Sequence, residues 1–285
     1  MLKKKRPSPA GLSGFPGLLL LLLCLLVPFS AQAEMRIHFM DVGQGDAILV
    51  QCGDASMLVD AGPAEAGQAV NRYLTQNLCL TALDYVVATH EHDDHLYRMP
   101  DALAGLEVRR VYAPPSVPMT YWLTEVLPRL ARQDLQLLKP AENETVPLGE
   151  ATVTFLNTQS SAENPNDRSL VLLIRYGNTS ALLTGDIEGD AETALVNSGA
   201  PLNADVLKVA HHGGNTSSSK IFLNAVDPDY AVISVGAGNR HGHPHAEPLR
   251  NFERKNITVY RTDLFGTVIG TSNGESWEFE VLKAR

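Results

Sequence analysis

The residues best suited to chemistry in this chain lie in one short stretch, residues 90–95, with the sequence HEHDDH. The four that match the pattern HxHxDH are His90, His92, Asp94 and His95. Neutral imidazoles and carboxylates at this density are ligands that zinc, manganese and iron(II) accept. We therefore interpret the stretch as a metal site, in which the first two histidines converge on one ion while Asp94 and His95 turn toward a second.

An apolar run leads into this stretch and predicts the element that positions it. Residues 85–88 are Tyr-Val-Val-Ala, which favours a strand. A strand that ends in polar side chains delivers them to one edge of its sheet, and open α/β folds bind ligands at such an edge. Two later apolar strands end in the same way: residues 181–184 lead to Asp186, and residues 204–210 lead to the His-His pair at 211–212.

Three more stretches complete a set of four motifs. They are FMDVGQGDA at residues 39–47, LTGD at 183–186 and LKVAHHG at 207–213. Together with HxHxDH they resemble the ComEC-type branch of the metallo-β-lactamase fold, the extracytoplasmic hydrolase domain of bacterial DNA-uptake proteins. The resemblance runs from about Arg36 to the C-terminus. It implies an α/β protein in which residues 34–285 form one αββα sandwich, with two mixed sheets and helices outside.

Alternating strands and helices along the chain fit that architecture. Apolar spacing predicts helices at residues 67–78, 121–132 and 247–255. We expect the two halves of the duplicated sheet to divide near Asn178.

The resemblance implies two divalent ions, zinc or manganese, and further ligands for them. It makes Asp186 the aspartate that contacts both ions, although an acid at this place could instead cap the helix predicted at 190–196. It makes His212 the remaining ligand of the second ion, with His211 facing the substrate. The reverse assignment within the pair stays open.

Such a site implies hydrolysis by a metal-bound hydroxide. In that scheme Asp94 and Asp186 position the hydroxide, and His211 or His245 protonates the leaving group. His245 belongs to a Gly-His-Pro-His stretch at residues 242–245, which the family also shows, so His243 is a further candidate for substrate contact.

Three other residues are candidates for supporting the ligands. Asp60 follows a predicted strand and would orient a metal ligand, although an acid there could simply begin a turn. Other branches of the fold often carry a metal-binding histidine where Asn166 and Ser169 stand here, and the sequence has no histidine between residues 95 and 211. We therefore expect weaker binding of the first ion, completed by water.

After the HxHxDH pattern the chain departs from the family, which usually continues with paired glycines. Residues 96–100 are Leu-Tyr-Arg-Met-Pro instead. Tyr97 and Arg98 would stand near the site, and Arg98 would either contact an anionic substrate or face solvent.

The N-terminus has the pattern of a secretory signal peptide. Basic residues at 3–6 precede an apolar run at 18–27, and Ala-Gln-Ala at 31–33 matches a cleavage site. We expect residues 1–33 to be removed and residues 34–285 to be periplasmic or secreted, with an uncleaved N-terminal anchor as the alternative. No later stretch is apolar and long enough to cross a membrane.

Charge bears on the partners. The whole chain carries a net charge of −9, and loss of the four basic residues in segment 1–33, which has no acid, leaves −13. An acidic chain does not attract polyanions over long range, so tight DNA binding would need a local basic patch. The charge favours a small anionic or nucleic-acid-like substrate. Nothing in the sequence indicates an oligomeric state.

Two cysteines, Cys52 and Cys79, remain after processing. The predicted strands place both at the edge opposite the metal site, in an oxidising compartment. They form either a disulfide or two separate buried thiols, because the sequence does not give the Cα separation that a bridge requires.

These observations favour an exported metal-dependent hydrolase of phosphodiesters. Hydrolysis of a small ester, lactone, β-lactam or phosphorylcholine ester uses the same chemistry and is the alternative reaction. A non-enzymatic binding module that retains one ion is the alternative from another class.

Overall fold

A computed structural model of the protein describes residues 34–132, 135–158 and 161–283. The signal peptide predicted at residues 1–33 lies outside the described residues. The described part is built from two β-sheets that pack face to face, with helices on their outer faces. The expected αββα sandwich is confirmed.

The first sheet, within the described residues, has eight strands in the order β15-β14-β1-β2-β3-β4-β5-β6. Neighbouring strands from β3 to β6 are parallel, and the other pairs are antiparallel. The strands are β1 (Met35–Phe39), β2 (Ile48–Cys52), β3 (Ala55–Val59), β4 (Ala82–Val87), β5 (Glu107–Tyr112), β6 (Gln136–Leu138), β14 (Thr267–Ser272) and β15 (Trp277–Leu282).

The second sheet has seven described strands in the order β13-β12-β11-β10-β9-β8-β7. Strands β10 to β13 are parallel, and β7 to β10 are antiparallel, so this sheet is also mixed. The strands are β7 (Thr145–Leu148), β8 (Ala151–Leu156), β9 (Val171–Tyr176), β10 (Thr179–Leu183), β11 (Val206–Lys208), β12 (Tyr230–Ile233) and β13 (Thr258–Arg261).

The helices of the described residues are short. The α-helices are α1 (Gly67–Arg72), α2 (Asp93–Leu96), α3 (Met99–Ala102), α4 (Met119–Tyr121), α5 (Gly189–Ser198), α6 (Lys220–Val226), α7 (Ala246–Arg254) and α8 (Thr262–Phe265). Segments of π-helix follow α1 (Tyr73–Asn77) and α4 (Trp122–Val126), and 3₁₀ turns are Leu127–Arg129, Asn166–Arg168 and Ala210–Gly213. No helix in this described part has the length and apolar character needed to cross a bilayer.

The core has three layers of contact. Side chains such as Phe39 and Phe155 fill the space between the two sheets and are fully buried. Trp122 packs under the first sheet, and Phe222 and Phe252 pack under the second. Burial of this much apolar surface is the main stabilising contribution to such a fold, and it leaves the ends of the strands free to carry polar groups.

Two expectations about element bounds were wrong. The helix predicted at 121–132 is broken, because Pro128 lacks the N–H that a continuing α-helix needs, and the last turn is 3₁₀. The halves of the sandwich divide between residues 138 and 145, and not near Asn178. Asn178 lies in a hairpin turn between β9 and β10, where Tyr176 pairs with Thr179, so it joins two neighbours within one sheet.

Cys52 and Cys79 are both free thiols. Cys52 is buried at the end of β2, whereas Cys79 is exposed in the turn before β4. The disulfide alternative is therefore wrong. The thiol alternative holds only in part, because it placed both side chains in the interior.

Candidate metal centre

Loops that follow parallel strands of both sheets meet at one edge of the sandwich. The peptide N–H of Leu170 donates to the carbonyl of Thr89 at 2.9 Å, which joins the loop after β4 to the second sheet. Gly185, with φ of +52°, allows this approach because a Cβ there would lie 2.8 Å from the Ser169 side chain. The sequence places its chemical residues after strands, and the sandwich brings those strand ends together.

Four of the predicted ligands converge there. Their ligand atoms all lie within 4.8 Å of one another, and the residues are Asp94, His95, Asp186 and His212. His95 Nε2 lies 3.2 Å from Asp186 Oδ2, and His212 Nε2 lies 3.2 Å from Asp94 Oδ2. Three of the four side chains are almost completely buried, and Asp94 opens toward solvent.

Several atoms of this group lack hydrogen-bond partners among the described residues. They include His95 Nε2, His212 Nε2 and Asp186 Oδ1. The contacts of about 3.2 Å to carboxylates are close but are not aligned as hydrogen bonds. A buried polar atom left unpaired costs about 1–3 kcal/mol. Imidazole nitrogens and carboxylate oxygens that aim at a common point therefore fit a divalent metal ion.

His90 and His92 lie beside this group. His90 is fully buried, its Nε2 has no hydrogen-bond partner, and its ring centroid lies 4.3 Å from that of His95. The ring of His92 is partly exposed and lies 4.7 Å from that of His90. His90 and His92 are thus adjacent to the group formed by Asp94, His95, Asp186 and His212.

Buried partners orient two of the candidate ligands, His95 and His212. Asp60 Oδ2 lies 2.7 Å from His95 Nδ1, and Asp60 also accepts hydrogen bonds from the N–H and hydroxyl of Thr89 at 2.8 and 2.7 Å. His212 Nδ1 lies 3.0 Å from the carbonyl of Ser234. Each contact holds Nδ1 at the back of the ring and turns Nε2 toward the common point. This is how metal-binding histidines are usually fixed.

The carboxylates give the site a strongly negative character. Burial alone would lower the pKa of His95, but Asp186 and Asp60 raise it well above its usual value. The pKa of His212 is raised for the same reasons, mainly by Asp186. Burial would raise the pKa of Asp186, yet His212 and His95 hold it well below its usual range. The site stabilises positive charge, whether a proton or a metal ion supplies it.

The His-His pair has an unusual backbone that separates its side chains. His211 and His212 have φ values of +49° and +53°, in the left-handed region that non-glycine residues rarely adopt. His212 points into the buried group, whereas the side chain of His211 is about a quarter exposed, with Nδ1 3.2 Å from Glu188 Oε1. Strained backbone of this kind is found where function requires a fixed side-chain direction.

A cleft of about 780 Å³ opens over the group. Asp94, Asp186 and His211 form part of its floor, and Glu65 and Asp93 add acidic groups to its wall. Its remaining lining includes Gln44, His92, Tyr97, Arg240 and His241. The cleft is large enough for a small molecule, and its acidic wall disfavours a highly charged polyanion.

The chain is similar to known proteins over most of its length. Residues 40–237 match the family described as the Metallo-beta-lactamase superfamily. The chain belongs to the metallo-beta-lactamase superfamily. This membership makes it a hydrolase by fold, and its candidate residues for a divalent metal lie at the edge of the sandwich described above.

Two curated relatives agree with this membership, and one solved structure shares the fold. The chain is 28% identical to "ComE operon protein 3" of Bacillus subtilis over 83% of this chain and 33% of that protein. It is 30% identical to "Competence protein ComA" of Neisseria gonorrhoeae over 87% of this chain and 34% of that protein. The chain thus spans about a third of these relatives, which agree with the ComEC-type resemblance. The solved structure of the metallo-beta-lactamase fold protein YhfI from Bacillus subtilis superposes on this chain with a TM-score of 0.57 and 16% sequence identity. The superposition covers 84% of this chain and 100% of YhfI, so the two proteins share the fold.

Two residues predicted to contact substrate, His243 and His245, do not line the cleft. His243 is partly buried, its ring centroid 5.3 Å from that of His211, and burial with the neighbouring histidines lowers its pKa to about 4. His245 Nδ1 accepts the N–H of Asn215 at 3.0 Å. The cleft wall instead holds Arg240 and His241, which belong to the same histidine-rich loop as these two residues.

The other supporting candidates lie on either side of the centre. Ser169 Oγ lies 3.3 Å from His90 Nδ1 and accepts the N–H of Asp186 at 3.1 Å. The side-chain NH₂ of Asn166 donates to Glu188 Oε1 at 2.7 Å, and the side-chain Oδ1 of Asn166 is buried without a hydrogen-bond partner. The Arg98 guanidinium is held by the carbonyl of Ala64 and by Asp101 at 2.7 Å, so it does not line the metal cleft.

Sequence reasoning missed a buried ion pair beneath the centre. Lys208 Nζ lies 2.8 Å from Asp46 Oδ2, and both side chains are almost completely buried. A signal was present, because Lys208 is a lone lysine in the apolar run Val206–Ala210 and must find a buried partner there.

Proposed function

We propose that this chain is an exported hydrolase that holds two divalent ions, zinc or manganese, and cleaves phosphodiesters of small size. The observation that carries the proposal is the convergence of two imidazole nitrogens and two carboxylates, several without hydrogen-bond partners, at the floor of a cleft. Such a donor set is costly to maintain without a cation, because each unpaired buried atom opposes folding.

The residues divide naturally between two ions. Asp94, His95 and His212 would hold one ion, and His90 and His92 would hold the other. Asp186 lies 3.2 Å from His95 Nε2 and 3.4 Å from His212 Nε2, and in this proposal its carboxylate would also serve the ion held by His90 and His92. Bound ions of this kind supply an activated water and offset the negative charge that develops on a phosphoryl or acyl oxygen.

The protein's own groups would orient the substrate and move its protons. His211 reaches the cleft beside the candidate metal ligands, and burial lowers its pKa, which favours the neutral ring. Glu188, 3.2 Å from its Nδ1, holds the ring in place. His211 is therefore our candidate for proton transfer with the leaving group. Behind it, the partly buried ring of His243 limits how far His211 can turn.

A phosphodiester is favoured over other substrates by the relatives. The relative from Neisseria gonorrhoeae is named a competence protein, and both relatives match more than four fifths of this chain and agree with the ComEC-type resemblance. The acidic residues of the cleft wall and the net charge argue for a short or small phosphodiester over long DNA. Because the relatives are about three times longer, transport functions of their other segments are not part of the proposal.

One experiment tests the proposal directly. The purified protein lacking residues 1–33 is loaded with zinc or manganese, analysed for metal content, and assayed against bis-p-nitrophenyl phosphate, plasmid DNA and nitrocefin. We expect about two ions per chain and hydrolysis of the small phosphodiester that a chelator abolishes. Asp186→Asn should lower both metal content and rate, whereas the exposed Asp227→Asn, the same change far from the site, should alter neither.

The other outcomes point to the alternatives. Cleavage of nitrocefin without cleavage of the phosphodiester would replace the proposed reaction with hydrolysis of a β-lactam or related small substrate. Metal binding without any turnover would favour a binding module. A protein that binds no metal would refute the proposal.

A further inference from the structure

Asp46 contacts two candidate metal ligands, Asp94 and His212, which come from opposite halves of the sandwich. Its backbone N–H donates to the carbonyl of Asp94 at 3.2 Å, in the loop after β4. Its Oδ1 lies 3.5 Å from Nδ1 of His212, in the turn after β11. Asp94 and His212 themselves approach to 3.2 Å through Oδ2 and Nε2. Asp46 therefore stands where the spacing of these two ligands is set.

The backbone at this point is adapted to the close approach. Gly45 has φ of +142°, and a Cβ at this position would lie 2.3 Å from the carbonyl oxygen of Asp94. A side chain there would push the two loops apart. The neighbouring Gln44 accepts the N–H of Gly236 through Oε1 at 3.2 Å, which ties the same loop to the second sheet.

Lys208 holds the Asp46 carboxylate in its position. Nζ lies 2.8 Å from Asp46 Oδ2 and donates to the carbonyl of Val209 at 2.9 Å, and neither ion is more than 1% exposed. With Oδ2 engaged by the lysine, Oδ1 is left facing His212 and has no hydrogen-bond partner of its own. A buried carboxylate so near other acids needs such a counter-charge.

We propose that Asp46 and Lys208 are positioning residues for the ion assigned to Asp94, His95 and His212. This inference rests on the proposed function, in which Asp94 and His212 are ligands. The lysine fixes the aspartate, whose Oδ1 lies 3.5 Å from Nδ1 of His212, beside the Ser234 carbonyl at 3.0 Å, and adds negative charge at the back of the ring. The peptide N–H of Asp46 holds the carbonyl of Asp94. The pair acts through the ligands and touches neither metal nor substrate.

The proposal is tested with Co²⁺, whose visible absorption reports the geometry of its ligands. Lys208→Met should lower the melting temperature of the metal-free protein, because Asp46 loses its partner. The double variant Asp46→Leu/Lys208→Met should recover that temperature, since apolar pairs often replace buried ion pairs without loss. We expect its affinity for Co²⁺ to remain about 10- to 100-fold weaker than in the parent protein, with an altered spectrum.

Controls separate the possible explanations. Lys255→Met removes a partly exposed lysine that pairs with Asp227 at 3.4 Å, and should leave the Co²⁺ affinity unchanged. Should the double variant not fold, Asp46→Val/Lys208→Leu makes the same comparison. Parental affinity and spectrum in a folded double variant would overturn the positioning role and leave only a structural one. Failure of the parent protein to bind Co²⁺ would instead overturn the proposed function, and this inference with it.

Discussion

Asp60 Oδ2 lies 2.7 Å from Nδ1 of His95, and both side chains are completely buried. The same carboxylate accepts two hydrogen bonds from Thr89, so it has no freedom to turn. Asp60 thereby decides which nitrogen of His95 faces the metal group.

Asp60→Asn should weaken metal binding by about 10- to 100-fold. If the amide oxygen keeps the bond to the Thr89 N–H, the amide NH₂ faces His95 Nδ1, so two donors oppose each other. Calorimetric titration of the variant with zinc measures the effect, and Asp227→Asn serves as the matched control. An unchanged affinity would show that His95 is held by packing alone.

His211 and His212 should respond differently to removal. His212→Ala deletes a buried ligand candidate and should leave about one ion per chain. His211→Ala should keep both ions and lose rate, because its side chain faces the cleft. Metal analysis and phosphodiester hydrolysis are measured on the same samples, with circular dichroism as the folding control. Loss of metal from His211→Ala but not from His212→Ala would reverse the two roles.

Stability should depend on pH in opposite ways with and without metal. In the metal-free protein the pKa values of His95 and His212 are raised by Asp186 and neighbouring acids, against the effect of burial. Their protonated forms stabilise the fold fully below the unfolded pKa of about 6.5, and this contribution is lost as pH rises through the folded pKa.

Zinc competes with those protons, so its apparent affinity should rise with pH. The increase in melting temperature caused by zinc should therefore be larger at about pH 8 than at about pH 6. Thermal unfolding with and without a chelator, at both pH values, gives the four melting temperatures needed. An increase that is greatest at the lower pH would contradict the assignment of these histidines as ligands.

The cysteines provide a test of the fold that is independent of metal. Cys79 is exposed and should react with a thiol reagent in the native protein, whereas the buried Cys52 should react only after unfolding. Titration of the protein lacking residues 1–33 should give one fast and one protected thiol. Absence of reactive thiols in denatured, unreduced protein would show that the two are bridged after all.

Export can be checked by mass. Cleavage after Ala33 would leave Glu34 at the N-terminus of protein recovered outside the cytoplasm. Intact-mass measurement of the exported protein should show the loss of residues 1–33. An exported protein that retains these residues would favour the uncleaved anchor.

Much of the fold and of the candidate site could be predicted from local sequence patterns. HxHxDH and the Gly-Asp and His-His pairs each lie directly after an apolar strand, so their type and spacing were readable in the sequence. The sandwich then brings strand ends from both sheets together, as for Thr89 and Leu170. Proximity of that kind follows from topology and cannot be read from any single segment.

The features that escaped prediction depend on contacts between distant segments. Lys208 finds Asp46 only when the two halves have packed, and Arg240 and His241 reach the cleft wall through the path of their loop. The break in the helix at Pro128 was readable, but the assignment of Asn178 to a hairpin required knowing which strands pair. Side-chain partners across a core are set by tertiary packing, which propensity does not encode.

The path of the chain through the first sheet has a consequence for the order of folding. Strand β1 lies between β2 and β14, so one of its edges stays open until residues near the C-terminal end have been synthesised. Pairing between such distant segments is slow, because a long loop must close before the contact forms. The first sheet is therefore completed only after β14 and β15 have been synthesised, so every shorter nascent chain carries an open strand edge at β1.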